Sequence, residues 1–507
     1  MNALSRAHLV LRHWSRPVRV AVAVAVPVGA GVLLWLLMPR GPMTTLQSMV
    51  ALVVASIAGA FAGVVLRSRW AALLAPVVAA GTLELTWLGV DGPTVDALRF
   101  ESIYAWLAMA AGRGFDGLVI LFPMAVGAFW GAAVARRGAR TSVSARGSRV
   151  ALVIRRVNLG LASLAVVALV VALLRPASTP PILDAAGTAV PGSIAELVTV
   201  PIGGHDQTIL LRGTHADAPV LLFLEGGPGG TAIGAMHYAG RALEEHVVVA
   251  TWDQRGTGKS ATAREPVSTL TLDQMVSDTI EVTDYLRERF GQERIYLLGS
   301  SWGTTLGVLA VQQRPDLFRA YIGSGQMVDQ QETDRLMYAD SLAYADRVGD
   351  AAFGDRLRAI GAPPYTDMLA YPVALSSNPE WQDFEPGSDS DPRSAYPASL
   401  LAPEYTFTEQ VRSAAALVDT FAALYPQLQD VDFRVDVPAL EVPVYLVEGV
   451  HEAPGRAVLA EEWIGTLAAP RKQLVTFASS GHTPHLDEPG RFAHYLAEVV
   501  LAETLPG

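Results

Sequence analysis

The residues best placed to do chemistry in this sequence are a serine set between glycines and a histidine far downstream of it. Gly299-Ser300-Ser301-Trp302-Gly303 follows the apolar run Ile295–Leu298 and precedes a helix-compatible stretch. In such a strand–turn–helix context a G-x-S-x-G serine is raised above a sheet edge as a nucleophile. The glycines permit the sharp turn, and the helix N-terminus behind the serine favours negative charge. The spacing assigns the middle residue, Ser301, over its neighbour Ser300. A hydroxyl needs a base to take its proton and an acid to orient that base, and here both should follow the serine in chain order. His482, in Ser479-Ser480-Gly481-His482-Thr483-Pro484, comes just after the apolar run Leu474–Phe477 and is assigned as the base. His485 is its rival and lies farther from the strand end. Behind Val444–Val447 stand Glu448, at the strand end, and Glu452, in the next loop. Glu452 is assigned as the acid, because a loop carboxylate reaches a histidine more readily than an in-strand one. Glu225-Gly226-Gly227-Pro228-Gly229 follows Val220–Leu224, and the N–H groups of Gly227 and Trp302 are assigned to an oxyanion hole.

These groups need a sheet to carry them. Glu196–Pro201 and Gln207–Leu211, on either side of Gly203-Gly204-His205-Asp206, read as a hairpin. Val220–Leu224, Val247–Trp252, Ile295–Leu298, Ala320–Ile322, Val444–Val447 and Leu474–Phe477 are unalternating apolar runs of strand length, as in a sheet covered on both faces. Helical patterns at Leu272–Phe290, after Ser301, at Arg456–Leu467 and at Gly490–Ala502 lie between or after them. Strand alternating with helix predicts the α/β class with crossover connections. Met327–Leu440 breaks the rhythm with long helix-like segments and Pro-rich turns. The expectation is a core in two parts, residues 193–326 and 441–507, with residues 327–440 inserted as a lid.

The glycine turns and the loops around them resemble those of one family. EGGPG, WDQRGTGKS at Trp252–Ser260, GSSWGTTLG at Gly299–Gly307, the loop that holds Glu452 and SGHTPHLDEP at Ser480–Pro489 together resemble proline iminopeptidases (prolyl aminopeptidases) and their α/β-hydrolase relatives. The likeness spans roughly residues 193–326 and 437–507. It implies an α/β-hydrolase fold and a serine exopeptidase that removes an N-terminal residue, often proline, from short peptides. It also implies that Asp253-Gln254-Arg255-Gly256 shapes the site, with Arg255 tying that loop down. The sequence departs from the family where Glu225 replaces a histidine, where Glu452 replaces an aspartate, and in a lid without the usual carboxylate motifs around the substrate ammonium. Glu225 and Glu332 are the candidates to pair with that ammonium, since an unpaired buried charge is costly. The alternative is hydrolysis of esters or another small acyl substrate by the same triad. Dehalogenase and epoxide-hydrolase chemistry is disfavoured by a serine where those relatives have aspartate.

The first third is of a different kind. Of 507 residues, 51% are apolar and 17% charged, and the apolar excess lies at the front. Val20–Met38, Met49–Leu66, Trp70–Val90, Gly117–Ala135 and Leu159–Leu174 are five runs of about the length needed to cross roughly 30 Å of hydrocarbon. Residues 1–175 are therefore expected to be a membrane region of about five helices, joined to the hydrolase by a linker over residues 176–192. Arg6, Arg12, Arg16 and Arg19 precede the first run, Arg67 and Arg69 follow the second, and Arg136, Arg137, Arg140, Arg146, Arg149, Arg155 and Arg156 lie between the fourth and fifth. The alternate loops hold only Arg40, Arg99 and Arg113. The positive-inside rule then predicts a cytoplasmic N-terminus and an extracytoplasmic hydrolase. Glu84, the one carboxylate within a run, is read as an interfacial residue.

Other classes are excluded on composition. The net charge of −11 argues against a nucleic-acid partner, and the absence of cysteine excludes disulfides and thiolate metal sites. The histidines show no metal-ligand spacing, and Gly258-Lys259-Ser260 lacks the earlier glycine of a phosphate loop, where Asp253 stands. No cofactor is expected.

Overall fold

The short apolar runs after the linker pair as one eight-stranded mixed sheet. In the computed structural model, which describes residues 14–96, 98–100, 102–137 and 149–505, the strands are β1 (Ile194–Ile202), β2 (His205–Gly213), β3 (Val220–Leu224), β4 (Val248–Asp253), β5 (Ile295–Ser300), β6 (Phe318–Ser324), β7 (Val444–Gly449) and β8 (Lys472–Phe477). Their spatial order is β1-β2-β4-β3-β5-β6-β7-β8. The β1–β2 hairpin and its junction with β4 are antiparallel, and every other pair is parallel. Parallel neighbours need crossovers, and the helices Leu272–Phe290 and Trp302–Gln313 supply two of them.

Every residue of β3, β4, β5 and β7 is buried, as their unalternating sequences require. One face packs Leu222, Ala250, Leu297 and Leu446 into a core shared with Trp252 and Trp463. The other packs Phe223, Val249, Leu298 and Val447 against Phe477 and Phe492. Each fully buried side chain of this size contributes about 1.5–3 kcal/mol, so the central strands are a rigid base for whatever their ends carry.

The chain divides into two compact units, one ending at Pro176 and including Thr406–Arg412, the other being the remainder from Ala177 onward. The inserted region, residues 327–440, supplies the helices Gln330–Val348, Ala351–Ile360 and Tyr371–Leu375 to the second unit. A later helix, Phe407–Leu424, begins within the first unit and ends in the second. Within the first unit Phe407 and Val411 pack on the apolar cluster. There the buried Arg412 pairs with Asp116 at 2.7 Å and donates to the carbonyls of Pro42 and Gly112.

The first unit is helical. Among the described residues four of its helices are long and apolar enough to cross a membrane: Arg16–Leu37, Thr45–Leu66, Ile103–Arg136 and Val153–Leu173. The third apolar run forms a shorter helix, Ala71–Trp87. The fourth run, Gly117–Ala135, is only the latter part of a helix that starts at Ile103, where the Ser102 side chain accepts the Ala105 N–H. Arg113 thus stands inside a helix rather than a loop. Its guanidinium is neutralised by both carboxylate oxygens of Glu84, at 2.7 and 2.9 Å, so Glu84 is an ion-pair partner and not merely an interfacial acid. Arg6, Arg12, Arg140 and Arg146 lie outside the described residues.

A close backbone contact within this unit explains two glycine pairs that carry no other signal. Gly59 and Gly63 on one helix face the helix of Gly127 and Gly131, and a Cβ added at any of the four would sit 2.0–2.3 Å from a carbonyl oxygen across the contact. Without side chains between them the two backbones reach van der Waals distance, which is how helices associate where no hydrophobic effect drives them together.

Candidate active site

The turn at the end of β5 lifts Ser301 out of the sheet. Its φ of 51° and ψ of −121° are unusual for a residue with a side chain. The backbone is held there by Ser301 N–H donating to Ser324 O at 3.0 Å and by Thr304 N–H donating to Ser301 O at 2.8 Å. Gly303 makes the turn possible, because a Cβ on it would fall 2.1 Å from the carbonyl oxygen of Leu224. The neighbouring Ser300 is buried in the strand, and its hydroxyl has no hydrogen-bond partner among the described residues.

The loop Glu225–Gly229 lies against this turn. A Cβ built on Gly226 would be 3.0 Å from the Ser301 Cβ and 3.6 Å from its Oγ. Trp302 is the first residue of its helix, so its N–H has no carbonyl one turn earlier to bond. One side chain ties the two loops together: Gln254 donates from Nε2 to Glu225 O at 3.1 Å, and its Oε1 accepts the Trp302 indole N–H at 3.0 Å. The resemblance marked that loop as one that shapes the site, but it singled out Arg255. Arg255 does fasten it, through Asp278 at 2.7 Å and the carbonyls of Ala263 and Gly203. Gln254, which the sequence reading passed over, is the residue that faces the serine turn.

His482 lines a cavity together with Ser301, and Glu452 meets its ring. The His482 Nδ1 is hydrogen-bonded to Glu452 Oε2. The other oxygen, Oε1, accepts the Ala453 N–H at 2.7 Å and Arg456 Nη1 at 3.0 Å. Burial alone would raise the Glu452 pKa. The charges of His482 and Arg456 and the hydrogen bonds outweigh it, and they hold the carboxyl well below the usual range. His482 Nε2 is buried without a hydrogen-bond partner among the described residues. An imidazole oriented by a carboxylate at one nitrogen, with the other uncommitted, is the arrangement of a general base.

The rival acid and the rival base lie elsewhere. Glu448 is in β7 and accepts the Gln326 N–H at 2.9 Å; burial and the nearby charge of Glu452 push its carboxyl well up. Environments that drive two neighbouring acids apart in this way leave one of them, Glu452, to carry the negative charge. His485 pairs with Ser324 Oγ at 3.0 Å and packs on Phe223, and burial lowers its pKa to about 3.

Two cavities share Ser301 and Gly227. The larger, about 310 Å³, is walled by Met327, Met337, Met368, Leu369, Leu417 and Phe421, with Asp334 and Arg456 as its charged residues. The smaller, about 270 Å³, is lined by His482, Glu225, Thr231, Ser394, Tyr396 and Ser399. Of the two carboxylates assigned to a substrate ammonium, Glu225 reaches the site and Glu332 does not. Glu332 lines neither cavity and lies with Asp329, Asp432 and Glu462 around Arg434. The acid of the inserted region at the cavity is instead Asp334, two residues further along the same helix. Tyr425 Oη at 2.6 Å, Gln330 at 3.0 Å and Gln429 at 3.2 Å bond its carboxylate, and burial raises it to about 6. Among the described residues no group of three or more His, Asp or Glu is placed to hold a metal.

The model of the alpha/beta hydrolase fold family matches residues 219–489. The chain is 31% identical to the probable aminopeptidase YbaC of Bacillus subtilis (strain 168), over 60% of this chain and 96% of that one. It is 30% identical to the proline iminopeptidase of Clostridium botulinum over 26% of this chain and 46% of that one. Among solved structures it is similar to the proline iminopeptidase of Mycobacterium smegmatis, at 20% identity and a TM-score of 0.44, over 61% of this chain and 99% of that one. With the strand order, the serine turn and the family match on the same residues, the chain belongs to the α/β hydrolase fold family.

Proposed function

We propose that the protein is a membrane-anchored serine hydrolase that releases N-terminal residues, proline among them, from short peptides. Ser301 attacks the scissile carbonyl while His482 Nε2 takes its proton, and Glu452 stabilises the imidazolium that forms. The N–H groups of Gly227 and Trp302 receive the negative charge on the carbonyl oxygen. The proton then passes from His482 to the leaving nitrogen, the carbon–nitrogen bond breaks, and water repeats the cycle on the acyl-enzyme. The four long apolar helices and the shorter helix Ala71–Trp87 serve as the bilayer anchor, five crossings that leave the N-terminus cytoplasmic and the hydrolase outside.

The single observation that carries the aminopeptidase reading is Asp334 in the Ser301 cavity. A carboxylate raised by burial gains most from a cationic partner, and a substrate ammonium is the cation that an N-terminal residue brings. The likeness to a probable aminopeptidase over nearly its whole length supports the same reading. A second reading, ester hydrolysis, is favoured by the methionine and leucine walls of that cavity, which suit an acyl chain equally well.

Three substrates separate the two: an amino-acid arylamide with a free amine, its N-acetylated form, and a short acyl ester. Loss of turnover on acetylation supports the aminopeptidase. Equal or better turnover of the blocked amide and the ester makes the protein an esterase with the triad unchanged. A fluorophosphonate probe applied to intact cells reports an activated serine and its side of the membrane together.

A further inference from the structure

The two cavities that meet at Ser301 are chemically unlike, and the smaller one bears on the half of the substrate that leaves. This inference rests on the serine-hydrolase reading above. The group that protonates the leaving atom must lie within hydrogen-bond reach of it. His482 lines the smaller cavity and not the larger, so the leaving half belongs on that side and the acyl half on the side of Asp334. Apart from His482, the smaller cavity has one ionisable side chain that is a carboxylate, Glu225, and among the described residues no lysine or arginine lines it. Glu225 Oε1 accepts the N–H of its own neighbour Gly226 at 2.8 Å, and Oε2 has no hydrogen-bond partner among the described residues. The residue follows directly on β3, so the sheet fixes its backbone, and Gln254 holds its carbonyl.

We propose that Glu225 determines which leaving groups are accepted, favouring those with a positive charge close to the scissile bond and rejecting those with a carboxylate there. A dipeptide places its free C-terminus at this position and meets an uncompensated like charge in a low-dielectric cavity. A peptide whose second residue is lysine, with its own carboxyl engaged in an amide, meets an opposite one. Burial pushes the Glu225 carboxyl up to about 7, so the selection is strongest above that pH. Asp253 from β4, His482 from the loop after β8 and Tyr396 from the lid are the titratable groups around it, and Asp253 acts in the same direction as burial.

The test uses the full-length protein in detergent at pH 8 and one N-terminal residue X throughout. The substrates are X-Lys-amide, X-Gly-amide and the free dipeptide X-Gly. The wild type should show a kcat/KM about 100-fold higher for X-Lys-amide than for X-Gly, with X-Gly-amide between them. Glu225→Gln should bring the three within about threefold of one another while an arylamide of X is still cleaved. An unchanged spread in Glu225→Gln, or no spread in the wild type, overturns the proposal. Should the variant fail to fold, the wild type alone decides. Its X-Lys-amide to X-Gly ratio must rise between pH 6 and pH 8, and a flat ratio overturns the proposal. If free-amine peptides are not cleaved and esters are, the aminopeptidase reading fails separately. The same comparison is then made between a choline ester and a glycolate ester, and only an advantage of the cationic alcohol that Glu225→Gln abolishes sustains the role of Glu225.

Discussion

Gly325 leaves no room for a side chain beside His482: a Cβ on it would fall 2.8 Å from both Nδ1 and Cε1 of the ring and 2.4 Å from the histidine carbonyl oxygen. Gly325 follows β6 with a φ of 63°, so a side chain there meets strain as well as collision. Gly325→Ala should displace the imidazole while leaving the sheet intact. A shift of about 1 Å in a catalytic group costs on the order of 100-fold. Activity should fall by that much with a Tm within a few degrees of wild type. Wild-type turnover in Gly325→Ala would mean that His482 is not held as described.

Ser301, His482 and Glu452 should behave as one unit. Replacing either Ser301 or His482 by alanine should remove nearly all turnover, leaving roughly 10³–10⁴-fold over water from the oxyanion hole and binding. Glu452→Gln should cost about tenfold or more but less than loss of the serine. Glu448→Gln, which keeps an acceptor for the Gln326 N–H, should be mild. A crippled Glu448→Gln beside an active Glu452→Gln would transfer the acid role to Glu448.

Asp334 gives the aminopeptidase reading a pH signature. Its carboxyl is raised to about 6, so the charged form that pairs with an ammonium is present above that pH and is lost as the pH falls through it. The ratio of kcat/KM for a free-amine arylamide to that for an acyl ester should therefore drop below about pH 6. Any pH effect common to both substrates cancels in that ratio. Asp334→Asn should raise KM for the free-amine substrate about 10-fold or more and flatten the ratio, with ester turnover little changed. A ratio independent of pH and of this substitution would sink Asp334 as the ammonium anchor.

The glycine contact of the helical unit should be sensitive to any side chain. Gly63→Leu and Gly131→Leu each place atoms where a carbonyl oxygen stands 2.0–2.1 Å from the Cβ, so the helices must separate. Either variant should lower the thermal stability of the detergent-solubilised protein and its yield in the membrane, whereas Gly29→Leu, at a position with nothing within 4 Å, should not. Equal stability of all three variants would remove the contact as a determinant of packing.

The sequence made some of this legible and hid the rest for physical reasons. Ser301, His482 and Glu452 stand out in the sequence because each comes just beyond an apolar run, and strand ends are fixed by burial patterns that local sequence records. Asp334 does not. The helix Gln330–Val348 also carries Glu332, Asp340 and Asp346, and only the packing of Tyr425, Gln330 and Gln429 decides which acid turns to the cavity. The helix beginning at Ile103 was obscured by Arg113 and Asp116, whose charges break an apolar run. Their partners, Glu84 and Arg412, are 29 and 296 residues away. The two G-x-x-x-G pairs were present as letters, but a close approach is a property of two helices and neither states its partner.

Topology turns on the short helix Ala71–Trp87. Its 17 residues span about 26 Å, somewhat less than the roughly 30 Å of a hydrocarbon core. A bilayer tolerates such a deficit by thinning locally, at a modest cost. The arginine asymmetry predicts that it does. Arg67 and Arg69 precede this helix, and the next cluster, from Arg136 to Arg156, follows the helix that begins at Ile103. Both clusters fall on the side of Arg16 and Arg19 only if Ala71–Trp87 crosses. The cysteine-free sequence allows a direct test, with single cysteines at Ser15, at Ser142 and beside Gly507 and a membrane-impermeant thiol reagent on intact cells. The expected result is labelling near Gly507 alone. Labelling at Ser142 with Ser15 and the C-terminus protected would mean that Ala71–Trp87 does not cross, and it would place the hydrolase in the cytoplasm with the N-terminus. Labelling at Ser15 and Ser142 together would invert the whole arrangement and show that the arginine asymmetry does not orient this chain.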